Sequence, residues 1–244
     1  MKLLLLSNSS APGREYLDHA REVIADHLTG VSELLFVPYA LADHDGYTAK
    51  VAAFMDGLGI RVRGIHTADD PRAAAGEAQA VFIGGGNSFR LLKSLQERGL
   101  TEAIAHRVTE GGAPYMGSSA GTNMACPTLR TTNDMPIVQP ASFDSLGLVP
   151  FQINPHYLDP DPASAHMGET REERLAQFLE ENDVPVLGLR EGTWLRRTGG
   201  TLELGGIAAG ARLFTAGAEA VEYAPGADLS HLLTLPARFD HRTV

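Results

Sequence analysis

The chain has 244 residues, of which 43% are hydrophobic and 20% are charged, a balance typical of a globular protein with a substantial core. Its formal net charge of -10 at pH 7 argues against nucleic acid as a partner, because an acidic surface repels phosphate backbones. No apolar run approaches the roughly 20 residues needed to cross a bilayer, so we expect no membrane partner. The single cysteine, Cys126, excludes an internal disulfide and suits the reducing cytoplasm, where we expect the protein to act.

Strands and helices alternate along the first half of the chain. Apolar runs predict strands at 3–7, 33–38, 60–65 and 78–83, and helical spacing predicts helices at 16–28, 47–58, 70–77, 88–98 and 101–110. This alternation is typical of parallel β-α-β units, whose ligands bind beyond the carboxyl ends of the strands. Short segments at 193–197, 201–204 and 211–215 predict a small antiparallel end. We therefore expect one α/β domain over 1–244, with a mostly parallel sheet flanked by helices and small antiparallel C-terminal strands.

A candidate nucleophile follows the next apolar strand. The five residues Gly117-Ser118-Ser119-Ala120-Gly121 fit the pattern G-x-S-x-G, and a helix can begin directly after them. In a nucleophile elbow, this pattern forms a tight strand-to-helix turn that exposes the central hydroxyl, which here belongs to Ser119. The alternative is an ordinary helix N-terminus, with Ser118 or Ser119 as the capping residue.

A serine hydroxyl becomes a good nucleophile only when a base takes its proton, and that base is usually histidine. Of the nine histidines, His156 and His166 follow the elbow without lying in the C-terminal tail. His156 is the better candidate, because it comes directly after an apolar stretch that ends in proline. Asp134, in a polar loop, and Glu191, after the predicted strand at 184–189, are the acids that can orient it. Their simpler roles are a turn cap and an ordinary loop charge.

An acyl-transfer site also needs backbone N–H donors that stabilise the oxyanion. The N–H of Ala120 follows the nucleophile directly. The second donor is expected from Gly85 or Gly86, in a run of three glycines after a predicted strand. A phosphate-binding loop is the rival interpretation of these glycines. The chain lacks both G-x-x-x-x-G-K-[ST] and a proper G-x-G-x-x-G there, which disfavours that rival.

Several segments together resemble the peptidase E family of S51 serine peptidases. They are 84–87, the elbow, 126–138, 153–156 and 168–172, and the likeness runs from residue 3 to about 219. The resemblance implies a fold related to class I glutamine amidotransferases, with serine in place of their cysteine. It also implies hydrolysis, in the cytoplasm, of dipeptides that begin with aspartate. A small peptide is then the expected substrate, and we expect no cofactor and no metal ion.

The resemblance assigns roles to individual residues. It implies that Ser119 is the nucleophile and His156 the base, while the third catalytic residue is either Asp134 or Glu191. We favour Glu191 because it should lie at the carboxyl end of a strand. Asp134 would then bind the free amine of the substrate. Asn87, in the matching segment 84–87, is also assigned to substrate binding.

An anionic substrate needs a specific cation near the nucleophile, because the protein itself is acidic. Arg171, in the matching segment 168–172, is our candidate for the aspartate side chain, since a guanidinium pairs well with a carboxylate. The simpler interpretation is a surface ion pair with Glu172 or Glu173. The other candidate cations are Arg130, Arg90 and Arg190.

Ser118 departs from the family, which often has tryptophan at this position, and we expect it to widen the pocket beside the nucleophile. Two other functions stay open: a cyanophycinase-like peptidase, and a non-catalytic module that binds small acids. The second would be favoured if Ser119 and His156 lay too far apart to meet. The sequence leaves the oligomeric state open, a homodimer included.

Overall fold

The computed structural model describes residues 1–11, 13–161, 163, 167–207 and 209–240, so His166 lies outside the described residues. The strands are β1 Lys2–Leu6, β2 Glu33–Val37, β3 Arg61–Gly64, β4 Val81–Ile83, β5 Tyr115–Ser118, β6 Gln152–Pro155, β7 Val186–Leu189, β8 Thr193–Thr198, β9 Thr201–Gly206, β10 Ala211–Phe214 and β11 Val221–Tyr223. The α-helices are α1 Arg21–His27, α2 His44–Asp56, α3 Pro71–Glu77, α4 Ser88–Glu97, α5 Leu100–Thr109, α6 Ala120–Ala125 and α7 Arg171–Glu181. Short 3-10 helices cover Asp18–Ala20, Ile65–Thr67 and Ser230–Thr234.

The main sheet has seven strands in the order β3-β2-β4-β5-β1-β8-β9. Its first five strands are parallel, and β8 and β9 extend it in antiparallel fashion. The predicted α/β class with a mostly parallel sheet is therefore confirmed. The register pairs Leu5 with Gly117 and Leu6 with Ser118, so the carboxyl end of β1 lies beside the elbow.

A second sheet has the order β11-β10-β7-β6, with β6 and β7 parallel and the other pairs antiparallel. The predicted antiparallel C-terminal strands are present, but they do not form one unit. The hairpin of β8 and β9 joins the free edge of β1, whereas β10 pairs with β7. Each pairing satisfies the backbone groups of a strand that would otherwise be a sheet edge.

Both faces of the main sheet are covered. Leu3 and Leu5 of β1 belong to one core cluster, and Leu4 and Leu6 to the cluster on the opposite face; all four are fully buried. Successive side chains of a strand point to opposite faces, so a strand buried on both faces reads as an unbroken apolar run. No helix in the described parts of the chain is long and apolar enough to span a membrane.

Candidate active site

The elbow holds Ser119 in an unusual backbone conformation, with φ 53° and ψ -110°. A non-glycine residue at positive φ is strained and persists only where its surroundings determine it. Here the Ser119 N–H donates to the carbonyl of Leu6 over 3.0 Å, and the Ser119 carbonyl accepts from the N–H groups of Thr122 and Asn123 over 2.8 and 3.0 Å. The turn is therefore held by hydrogen bonds on both sides of the serine.

The two glycines of the elbow are required by close packing. A Cβ on Gly117 would lie 2.5 Å from the carbonyl oxygen of Gly121, and one on Gly121 would lie 2.0 Å from that of Ile83. Helix α6 can approach strands β4 and β5 this closely only because both positions are glycine. Ser119 precedes α6, but its side chain makes no capping hydrogen bond, so the alternative of a simple helix cap does not describe it.

The side chains of Ser119, His156 and Glu191 form one chain of hydrogen bonds. The Ser119 Oγ lies 3.0 Å from His156 Nε2, and His156 Nδ1 lies 2.6 Å from Glu191 Oε1. The Glu191 carboxylate accepts a hydrogen bond from the N–H at Nδ1, which keeps the proton on that nitrogen and leaves Nε2 free to take the proton of the serine hydroxyl. His156 and Glu191 come from the ends of the neighbouring parallel strands β6 and β7.

His156 is itself in a positive-φ conformation, with φ 53°. Its backbone N–H donates to the Ser7 hydroxyl over 2.9 Å, and that hydroxyl donates to the carbonyl of Leu189, also over 2.9 Å. The N–H of Tyr157 reaches the same carbonyl over 3.0 Å. Ser7 thus joins the end of β1 to the ends of β6 and β7, and fixes the backbone that carries the imidazole.

Asn8 holds the loop that carries Glu191, the acid that pairs with His156. Its side-chain oxygen accepts from the N–H of Gly192 over 2.8 Å, and its amide donates to the carbonyl of Ser10 over 2.8 Å. Because Gly192 follows Glu191 directly, this contact holds the loop that presents the carboxylate. Neither Ser7 nor Asn8 was predicted from the sequence as part of the site. Their signal was their position directly after the first apolar strand, where parallel strands place their functional ends.

Asp134 lies in the cleft but not against the imidazole. Its Oδ2 accepts from the N–H of Ser88 over 2.7 Å, at the start of α4. Of the two acids considered above, Glu191 is therefore the one in contact with His156. Asn87 caps α4 by accepting from the N–H of Arg90 over 3.0 Å, and its amide donates to the carbonyl of Met135 over 2.9 Å. Both polar ends of the Asn87 side chain thus have a partner in the protein, and its role in substrate binding stays a prediction.

Two cavities adjoin at the serine, and both are lined by Ser119, His156 and Asp134. The first, which we call the glycine cavity, has a volume of about 630 Å³ and is also lined by Gly85 and Gly86. The second, which we call the arginine cavity, has a volume of about 470 Å³ and is further lined by Arg171 and Glu191, among others. Both volumes are in the range of small-molecule binding sites.

Arg171, the first residue of α7, forms no hydrogen bond or ion pair with the rest of the described chain. Burial lowers the pKa of its guanidinium and Arg174 adds to that effect, while Asp134 opposes it. The simpler surface-pair interpretation does not hold, because Glu172 pairs with Arg212 and Glu173 bonds back to the N-cap residue, Thr170. The guanidinium of Arg171 is thus available to a ligand in the arginine cavity.

The other candidate cations are engaged elsewhere or lie away from the cleft. Arg130 pairs with Asp240 at 2.7 Å, and Arg190 is held by Asp159 at 2.6 Å and by Glu222 at 2.9 Å. Arg130 and Arg190 are therefore occupied by acidic side chains of the protein and are not free to bind a ligand. Arg90 lines neither the glycine cavity nor the arginine cavity.

The glycine loop lies against the nucleophile. A Cβ on Gly85 would be 3.1 Å from the Ser119 Cβ, a tight contact that a glycine avoids. Gly86 has φ 136°, a conformation that other residues rarely adopt. Tyr47 lines the same cavity, and burial raises the pKa of its hydroxyl. Gly85 and Gly86 both line the glycine cavity together with Ser119, so the N–H of either one stays a candidate donor to the oxyanion.

Ser118 is completely buried and lines neither of the two cavities, so it does not widen the pocket as we expected. It lies two residues after Met116 on β5, and Met116 packs in the core cluster that contains Leu4 and Leu6. In the described part of the chain, no three His, Cys, Asp or Glu side chains are grouped to hold a metal ion.

A serine hydroxyl, a histidine and a carboxylate in this order, on a tight turn after a parallel strand, define a serine hydrolase. The arrangement is recognised by the geometry of the side chains, whatever their order along the chain.

Comparison with known proteins narrows this class. The model of peptidase family S51 matches residues 3–205. The chain is 62% identical over 243 residues to Peptidase E of Streptomyces coelicolor, an alignment that covers 100% of this chain and 99% of that protein. It is 52% identical over 233 residues to a Drosophila melanogaster protein named "Probable alpha-aspartyl dipeptidase", with 95% and 97% covered. The chain therefore belongs to peptidase family S51 and is a serine-type peptidase.

A solved structure supports the fold independently. The crystal structure of a peptidase from an acI-B1 Actinobacterium matches with a TM-score of 0.66, covering 93% of this chain and 96% of that one. The two sequences are 16% identical, so this likeness concerns the fold alone.

Proposed function

We propose that this peptidase hydrolyses dipeptides whose first residue is aspartate, through an acyl-enzyme on Ser119. The observation that carries the proposal is the hydrogen-bonded chain of Ser119, His156 and Glu191 beside a cavity that contains Arg171 and Asp134. The Drosophila melanogaster relative is named a probable alpha-aspartyl dipeptidase, and the Streptomyces coelicolor relative is named Peptidase E.

The reaction begins when His156 takes the proton of Ser119 and the serine oxygen attacks the carbonyl carbon of the aspartyl residue. The backbone N–H of Ala120 and that of Gly86 or Gly85 stabilise the oxyanion. His156 then gives its proton to the leaving amine, and the peptide C–N bond breaks. A water molecule, deprotonated by His156, attacks the ester carbon, and aspartate leaves as the serine regains its proton.

Substrate selection follows from the charges of the arginine cavity. Arg171 pairs with the side-chain carboxylate of the substrate, which otherwise would meet an acidic protein. Asp134 binds the free amine, so that a peptide with a blocked N-terminus loses this contact. Together the two groups favour a residue that carries a carboxylate and a free amine on one carbon skeleton.

The other two functions fit less well. The distance of 3.0 Å between Ser119 Oγ and His156 Nε2 removes the reason for a non-catalytic module. The named relatives favour a dipeptidase over a cyanophycinase-like enzyme. We also propose that the enzyme acts in the cytoplasm on small peptides. The single cysteine, Cys126, fits that location because it leaves no internal disulfide to form.

The test is a panel of dipeptides with one leaving residue: Asp-Leu, Glu-Leu, Asn-Leu and N-acetyl-Asp-Leu. We expect rapid hydrolysis of Asp-Leu alone, and none by a Ser119→Ala variant. Hydrolysis of the acetylated peptide at the same rate as Asp-Leu would contradict the dipeptidase assignment. Equal rates on Asn-Leu would contradict the aspartate preference.

A further inference from the structure

We propose that Lys50 binds the free carboxylate of the substrate's second residue, in the glycine cavity. This inference rests on the proposed function, because it concerns the part of an Asp-X dipeptide that the arginine cavity does not hold. It adds a second recognition site to the cleft and gives a physical reason for a preference for dipeptides.

Lys50 lies on α2, whose first turn reaches the glycine cavity through Gly46 and Tyr47. Its ammonium nitrogen is 4.5 Å from the centroid of the Tyr16 ring, and Tyr16 lines the same cavity. A cation held over an aromatic face keeps its position while its remaining donors stay free. Lys50 is exposed and forms no ion pair with any described residue.

The charges of the substrate and of the cleft can be matched. An Asp-X dipeptide at neutral pH has one ammonium group and two carboxylates. In the arginine cavity, Arg171 pairs with the side-chain carboxylate and Asp134 pairs with the ammonium group. The terminal carboxylate is then left without a partner. Apart from His156, Lys50 is the one basic residue among the described residues that line the glycine cavity.

The glycine cavity is also lined by two acidic side chains, which could oppose this role. Asp43 also lines the cavity, but it is the N-cap of α2 and its Oδ1 accepts from the N–H of Gly46 over 2.9 Å. It makes no ion pair with Lys50 in the described structure, so the ammonium group is not neutralised there. The other acid, Asp134, accepts from the N–H of Ser88 and is assigned above to the ammonium group of the substrate.

The direction of the substrate follows from the chemistry at the serine. Both cavities contain Ser119 and His156, so the scissile bond lies where they adjoin. If the aspartyl residue fills the arginine cavity, the leaving residue extends into the glycine cavity. Its carboxylate is then two bonds from the amine that His156 protonates, and points toward the wall that includes Lys50.

The experiment compares Asp-Leu with Asp-Leu-amide, which lacks only the terminal charge. We expect the unmodified enzyme to prefer Asp-Leu by about tenfold in kcat/KM, a typical effect of one lost charged contact. In Lys50→Met this preference should fall to near unity, through a higher KM for Asp-Leu. Lys50→Gln serves as a second neutral variant, and Lys50→Arg should retain most of the preference. The matched control is Lys93→Met, since Lys93 is a half-buried helical lysine that lines neither cavity and pairs only weakly with Glu97 at 3.8 Å.

Each result decides the matter. If the unmodified enzyme hydrolyses both compounds equally well, the role of Lys50 is overturned while the aspartyl dipeptidase assignment stands. If Lys50→Met slows both compounds equally, Lys50 acts on another part of the reaction and the inference is again overturned. If the unmodified enzyme hydrolyses neither compound, the proposed function itself fails and the inference fails with it.

Discussion

The backbone N–H of His156 donates to the side-chain hydroxyl of Ser7, over 2.9 Å and across 149 positions of the chain. Ser7 is fully buried, and the same hydroxyl donates to the carbonyl of Leu189, two residues before Glu191. One serine outside the triad therefore sets the spacing between the base and its acid. A polar group that satisfies two partners in a dry core is costly to remove, because both partners lose their hydrogen bond.

We therefore expect Ser7→Ala to lower kcat by about tenfold or more with little change in KM, because a misplaced imidazole affects the transition state and not substrate binding. Ser7→Thr, which keeps the hydroxyl, should recover part of the activity. Thr109→Ala is the control, since it removes an exposed hydroxyl on α5. A Ser7→Ala enzyme with normal kcat, or one whose only defect is lower thermal stability, would contradict this positioning role.

The two serines of the elbow should behave oppositely. Ser119→Ala removes the hydroxyl that meets His156 and should abolish hydrolysis. Ser118→Ala should keep activity, because Ser118 is buried away from both cavities. It should also raise the melting temperature, since the buried Ser118 Oγ has no partner among the described residues and such a group costs about 1–3 kcal/mol. Equal losses of activity in the two variants would remove the nucleophile assignment.

Substitution of the two acids in the cleft, Glu191 and Asp134, should have different effects on kcat and KM. Glu191→Gln leaves the carboxylate site filled but uncharged, so it should lower kcat far more than it raises KM, because the imidazolium forms only during the reaction. Asp134→Asn should raise KM at least as strongly as it lowers kcat, if Asp134 binds the amine of the bound substrate. Steady-state kinetics on Asp-Leu distinguish the two patterns, and the reverse result would exchange the two roles.

Arg171→Met should lower kcat/KM for Asp-Leu by about a hundredfold and change the rate on Asn-Leu little, because only the first substrate has a carboxylate to lose. Arg174→Met is the matched control on the same helix, as Arg174 is exposed and lies 3.8 Å from its partner Glu169. An unchanged preference for Asp-Leu would exclude Arg171 as the specificity residue.

Stability should fall on acidification, in part through His27. Burial lowers the pKa of His27 from 6.5 to about 4, although the ring donates from Nε2 to the Tyr115 carbonyl over 3.0 Å. Between these values the unfolded chain binds a proton that the folded chain does not, so folding free energy is lost as pH falls from about 6.5 to about 4. The full shift corresponds to about 3 kcal/mol.

Urea unfolding of the wild type and of His27→Gln at a series of pH values tests this. The variant should lose less stability across that range than the wild type. His106→Gln, a histidine near the end of α5, is the control and should follow the wild type. Parallel curves for all three proteins would show that His27 does not titrate as described.

Much of the site was predictable because its signals are local. The apolar run at Leu3 to Leu6 indicated a strand buried on both faces, and the structure confirms it. The elbow was predictable because a turn this tight requires glycine at Gly117 and Gly121, whatever surrounds it. His156 and Glu191 were found as residues at the carboxyl ends of strands, where an α/β sheet gathers its functional groups.

Contacts between distant parts of the chain were decided only by the tertiary structure. The sequence favoured Glu191 over Asp134 only through its expected place at a strand end, and the pairing of Pro155 with Leu189 brought Glu191 to the imidazole. Ser7 bonds to a carbonyl 182 positions away. Such a contact leaves no mark in local periodicity, because strand order and register, which set it, arise from the packing of the whole sheet.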